Sequence, residues 1–111
     1  MATDRPTIST HILDTGSGAP RAGATVRLWR LGLSEGPATL VVEGVTDEDG
    51  RIRDLLGPTA LEASAYALEF VLGEEGFFTS LTVEVRVTDP TRSYHVPLLV
   101  APYGLSTYRG S

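Results

Sequence analysis

The chain has 111 residues, enough for one domain with its own core, and its 41% hydrophobic and 21% charged content is that of an ordinary globular protein. A net charge of −5 argues against a nucleic-acid surface, which needs a basic stripe, and no apolar run approaches the roughly 20 residues of a membrane span. There is no cysteine, which removes disulfides, thiolate metal sites and a cysteine nucleophile, and all nine basic residues are arginine, which removes lysine Schiff-base chemistry.

Residues 7–13 read as a first strand, rich in the β-branched Thr7, Ile8, Thr10 and Ile12. The period of two puts His11 on the face opposite Thr10 and Ile12, together with Ser9 and Leu13. Residues 14–23 form a connector dense in glycine and proline, without the Lys-Ser or Lys-Thr that a phosphate loop requires. Residues 24–31 alternate, with Val26 and Leu28 on one face and Arg27 and Trp29 on the other, as a half-buried strand does. A loop at 32–38 leads to a strand at 39–46, which ends in Asp47-Glu-Asp-Gly-Arg51, where Asp49-Gly50 is a strong hairpin signal. A calcium loop fitted to that turn would place Val45 and Leu56 where carboxylates are needed, so a solvated turn that projects Arg51 is expected instead.

Residues 55–65 carry the only helical character, with Thr59 and Glu62 at capping-box spacing, and predict a short helix. Residues 66–72 and 80–89 read as strands. In the latter, Leu81, Val83, Val85 and Val87 alternate with Thr82, Glu84, Arg86 and Thr88. The last stretch, 93–111, begins with a strand holding His95, where Pro97 suggests an edge or a bulge, and passes through Pro102-Tyr103-Gly104 into a polar tail. Seven to eight short strands and one short helix, without repeats or a linker, predict a mainly β, antiparallel sandwich in a single domain spanning 1–111.

By residue type alone, His11 and His95 read more readily as structural or surface histidines than as catalytic ones. No nucleophile elbow, zinc pair or dinucleotide fingerprint accompanies them.

Four segments go further: Ser9-Thr-His-Ile-Leu-Asp14 with the connector to Pro20, Val26-Arg-Leu-Trp-Arg30, Thr46-Asp-Glu-Asp-Gly-Arg51, and the closing run from Tyr94 to Ser111. In this order they resemble the 5-hydroxyisourate hydrolases, transthyretin-related enzymes of purine catabolism, and the terminal Tyr108-Arg109-Gly110-Ser111 is the most specific element of the likeness. The resemblance implies a transthyretin-like sandwich assembled as a homotetramer, with sites at the interface between two dimers. It also implies hydrolytic opening of the six-membered ring of 5-hydroxyisourate to 2-oxo-4-hydroxy-4-carboxy-5-ureidoimidazoline, without metal or organic cofactor. His11, Arg51 and His95 are then the catalytic set, and Tyr108, Arg109, Gly110 and Ser111 line the substrate pocket. Where such chains usually continue Phe-Phe-Pro, this one has Phe77-Phe78-Thr79, and the segment before it is compact.

The competing reading is a transthyretin carrier that binds thyroid-hormone-like ligands in a central channel. Such carriers resemble this chain less, since they have lysine in place of the first-strand histidine and lack the Tyr-Arg-Gly-Ser ending. A structural sandwich module of the adhesin kind would leave His11, Arg51 and His95 without a reason to converge. Neither a signal peptide at Met1-Ala-Thr-Asp-Arg-Pro6 nor a peroxisomal Ser-Lys-Leu ending is present, so a cytoplasmic location is expected, with neither nucleic acid nor membrane as a partner.

Overall fold

The structure, a computed structural model, describes residues 5–32 and 37–110. Part of the expected 32–38 loop and Ser111 of the tail lie outside the described residues. Nine strands follow one another: β1 (Ile8–Asp14), β2 (Ala19–Pro20), β3 (Thr25–Arg30), β4 (Thr39–Val45), β5 (Arg51–Ile52), β6 (Ala65–Val71), β7 (Ser80–Arg86), β8 (Tyr94–Ala101) and β9 (Gly104–Thr107). Two of them, β2 and β5, are only two residues long and share the outer edge of β1.

The strands form two sheets. One runs β4-β3-β6-β7, antiparallel throughout, and the other runs β2-β1-β8-β9 with β5 also on β1. The expected all-antiparallel arrangement fails at one ladder, because β1 and β8 run parallel from Ile8 opposite Tyr94 to Asp14 opposite Val100. A parallel pair cannot be closed by a short turn. The two strands accordingly come from opposite ends of the chain.

Period-two patterning explains the core. Ile8, Thr10 and Ile12 of β1, Val26 and Leu28 of β3, Leu68 and Phe70 of β6, and Val96, Leu98 and Val100 of β8 turn inward and are buried. Thr10 is a hydroxyl in this apolar layer, and it is satisfied by donating to the Val96 carbonyl at 2.6 Å. The alternation expected from 80 to 89 is observed in β7, and Val87 just beyond it is buried.

No helix is present among the described residues, so the short helix expected at 55–65 is replaced by an irregular plug. Leu55 and Leu56 are both fully buried, and the Leu55 amide is tied to the Ile8 carbonyl at 2.7 Å. Of the two residues that suggested a cap, Glu62 pairs with Arg30 and Thr59, like Asp54 nearby, closes a turn. Asp54 Oδ1 accepts from the Leu56 amide, and the Thr59 amide and hydroxyl both donate to the Leu56 carbonyl. Gly57 has φ +59, outside the right-handed helix. Burying two adjacent leucines in the core outweighs local helix propensity.

The Asp49-Gly50 turn forms, but it closes no hairpin, because β5 after it pairs with β1 while β4 before it pairs with β3. Gly50 has φ +74, and a Cβ there would lie 2.5 Å from the Ile12 carbonyl oxygen. Gly50→Ala is therefore expected to destabilise the protein by at least about 2 kcal/mol, since it combines a strained backbone with a backbone collision. Urea denaturation of the two proteins measures the difference.

Candidate active site

Because Ile8, Thr10 and Ile12 point inward, Ser9 and His11 occupy the outer face of the mixed sheet. The parallel ladder sets Ser9 beside His95 and His11 beside Pro97. On the other side of β1, the antiparallel pairing with β5 sets Arg51 opposite His11. Two of the three expected catalytic residues are thus direct cross-strand partners, and the third stands one strand further over and one row along.

Arg51 is aimed by its turn. Asp47 Oδ1 accepts hydrogen bonds from the Asp49 amide at 2.9 Å and the Arg51 amide at 3.0 Å. These amide bonds, with the Arg53 and Arg51 charges beyond them, hold the Asp47 carboxyl below its ordinary pKa. Among the described residues, neither Arg51 nor Arg53 has a carboxylate within ion-pair distance, whereas Arg5, Arg21, Arg27 and Arg30 do. Two exposed guanidinium groups therefore remain available on this face of an acidic protein.

A cleft of about 340 Å³ opens here, lined by Ser9, Arg51, Arg53, Ser93, His95 and Gly110 together with Thr10, Ile52 and Tyr94. His95 is its titratable centre. Partial burial, the Arg51 charge and His11 all push its pKa below the ordinary 6.5, while a hydrogen bond to the Ser9 backbone pulls the other way. The ring is kept neutral at neutral pH, with a lone pair available to take a proton.

Pro97 shapes what reaches His95 from the far side. Tyr94 and Val100 direct their backbone groups toward β1 or the turn that follows it: the Tyr94 amide donates to the Thr7 carbonyl, and the Val100 carbonyl accepts from the Thr15 amide. The odd-numbered His95 and Pro97 face the tail, where their carbonyls accept from the Gly110 amide and the Thr107 hydroxyl, each at 2.8 Å. Pro97 has no hydrogen to offer on that side. Regular pairing between β8 and β9 stops at Leu98 opposite Thr107 and returns, in the same register, as a single bridge between His95 and Gly110. Pro97 is thus on an interior strand, at an interruption of the ladder rather than at an edge.

The four expected tail residues divide. Gly110 lies against His95, so close that a Cβ on it would sit 2.5 Å from the ring Cδ2. Arg109 turns away, its guanidinium carbon 4.8 Å from the centroid of the Tyr94 ring. Arg109 and Tyr108 line a separate cleft of about 370 Å³ with Val83, Val85, Arg86, Tyr94, Val96 and Thr107. Ser111 lies outside the described residues. The polar side chains of the cleft absent from the expected set are Ser9, whose hydroxyl oxygen is 2.8 Å from His95 Nδ1, Ser93 and Arg53. Ser9 was detectable, since period two places it on the face of His11. Arg53 carried no comparable signal.

The HIUase/Transthyretin family model matches residues 8–110. The chain belongs to this family. It is 40% identical to a 5-hydroxyisourate hydrolase from Halalkalibacterium halodurans over 94% of its own length and 97% of that protein's. A solved structure of Klebsiella pneumoniae 5-hydroxyisourate hydrolase superposes with a TM-score of 0.78 at 37% identity, covering 95% of this chain and 99% of that one. Transthyretin from Sparus aurata gives a TM-score of 0.83 at 24% identity over 96% of this chain and 97% of that one, a likeness of fold alone. The sandwich therefore does not separate hydrolase from transthyretin, and only the side chains on the mixed sheet can do so.

The depressed His95 pKa has a consequence for stability. An unfolded chain binds this proton more tightly than the folded one, so stability is complete above about pH 6.5 and declines as pH falls from there toward the folded value. In an NMR titration His95 is expected to titrate below 6.5 and to move upward in Arg51→Ala, which removes one of the charges opposing its protonation.

Proposed function

We propose that this protein hydrolyses 5-hydroxyisourate, opening its six-membered ring by adding water across a ring amide. The observation that carries the proposal is the cleft that joins His95 and Arg51 next to His11, in a chain 40% identical to a 5-hydroxyisourate hydrolase over nearly its whole length. His95, neutral and open to the cleft, takes a proton from the attacking water as its oxygen bonds to the ring carbonyl carbon. Arg51 presents a fixed fork of donors to the substrate oxygens and stabilises the negative charge that develops on the carbonyl oxygen. The proton then passes to the departing ring nitrogen as the carbon–nitrogen bond breaks, leaving a carboxyl group and a ureido N–H. His11, paired with Arg51 across the sheet, helps hold that guanidinium in place and is near enough to assist the transfer. Neither step requires a metal or an organic cofactor, because imidazole and guanidinium supply both the proton transfer and the charge.

The working form in this proposal is a cytoplasmic homotetramer in which two dimers meet over this face. The cleft is open in the single chain, and a partner seated on it would exclude bulk water and strengthen the electrostatics inside. Tyr108, Arg109 and Ser111 are proposed to complete the substrate pocket of that assembly.

Ultraviolet absorbance of freshly generated 5-hydroxyisourate tests the activity: decay is expected to accelerate greatly with the protein present, and no acceleration over the spontaneous rate would overturn the assignment. His95→Ala and Arg51→Ala are each expected to lower kcat/KM by about 100-fold or more. Light scattering is expected to give four times the 11.8 kDa chain mass. A fully active monomer would contradict the assembly.

A further inference from the structure

Two strands and the tail meet in one row at His95. Ser9 of β1 is its partner on one side, and Gly110 of the tail is its partner on the other. Each contacts a different edge of the imidazole: Ser9 Oγ is 2.8 Å from Nδ1, and Gly110 is packed so tightly on Cδ2 that no side chain fits between them. With those two positions taken, Cε1 and Nε2 are the ring atoms left to face the cleft that His95 lines.

We propose that Ser9 is a positioning residue for the hydrolysis, holding the Nδ1 edge of His95 as the hydrogen-bond donor so that Nε2 faces the cleft as a lone pair. The proposal rests on the assignment of His95 as the base. A neutral imidazole has one protonated and one bare nitrogen, and without a fixed partner the two forms exchange. Ser9 resolves the ambiguity because its hydroxyl oxygen lies 2.8 Å from Nδ1, where it accepts from a protonated Nδ1. That pairing keeps the proton on Nδ1. With that proton fixed, water in the cleft meets Nε2, the nitrogen able to abstract a proton.

The role is one of orientation rather than contact with substrate. Losing it therefore changes the fraction of His95 in the competent form more than the affinity for substrate. The charged and titratable groups facing His95 are Arg51 and Arg53 beyond β1 and His11 on β1. The phenol of Tyr94 and the guanidinium of Arg109 pair with each other at the second cleft.

The test uses the full chain. In wild-type protein labelled with nitrogen-15, a long-range proton–nitrogen correlation spectrum above the His95 pKa is expected to show Nδ1 protonated and Nε2 bare. The opposite tautomer would overturn the proposal whatever the activity. In Ser9→Ala, kcat is expected to fall roughly tenfold, the equivalent of one hydrogen bond, with KM changed less than about twofold. The same spectrum is expected to show the tautomers mixed. Ser9→Thr restores a hydroxyl at that position and is expected to recover most of the loss. An unchanged kcat and tautomer in a folded Ser9→Ala protein would refute the role. Should wild-type protein fail to hydrolyse 5-hydroxyisourate, the functional assignment falls separately, because the tautomer is read without substrate.

Discussion

The parallel ladder between β1 and β8 is the constraint on which the rest depends. It joins residues 86 positions apart, such as Ser9 and His95, and it sets a register in which one face of both strands is core and the other carries Ser9, His11 and His95. A slip of one residue would turn His95 into the hydrophobic layer and Val96 out of it. The burial that holds Ile8, Ile12, Val96 and Leu98 in the sandwich therefore also fixes which side chains meet on the outside. Core packing and site geometry are one arrangement viewed from its two faces.

Around that ladder, local devices place the remaining groups. Asp47 and Gly50 shape the turn that delivers Arg51 to the edge of β1, and Pro97 interrupts the pairing on the far side of β8. The interruption lets the tail leave the sheet for two residues before Gly110 rejoins it. In that interval Arg109 stacks on Tyr94, whose hydroxyl bonds with the Asp89 backbone. The last residues are thus fastened on the opposite side of the strand from the imidazole they support. Electrostatically, Arg5, Arg21, Arg27 and Arg30 are matched with carboxylates while, among the described residues, Arg51 and Arg53 are not, so an acidic protein keeps two exposed cations on the face that carries His95.

Features that depend on neighbours in sequence were legible before the structure. Alternation identified β1, β3 and β7 and put His11 with Ser9, and the Asp49-Gly50 pair marked its turn because few residues accept that backbone conformation. Features that depend on distant partners were not. Nothing local distinguishes a strand that will pair in parallel, so the mixed sheet was missed. Leu55 and Leu56 suggested a helix because their burial in the core depends on strands elsewhere in the chain. The catalytic set came from the likeness of whole segments to a family rather than from spacing, and so did the tail as a unit. Its division between two clefts follows from Pro97, whose effect shows only once the strand beside it is known.

Pairing the first long strand with the penultimate one also has a kinetic side. Native contacts between sequence-distant strands form slowly, because a long loop must close before they offer any gain. As the chain emerges from the ribosome, the antiparallel sheet of β3, β4, β6 and β7 is complete at Arg86, before β8 begins at Tyr94 and gives β1 its partner. Until then β1 presents an apolar face and an open edge, the kind of surface that invites association with other chains. The same topology that joins the two halves of the site thus leaves β1 exposed for most of the time the protein is being made.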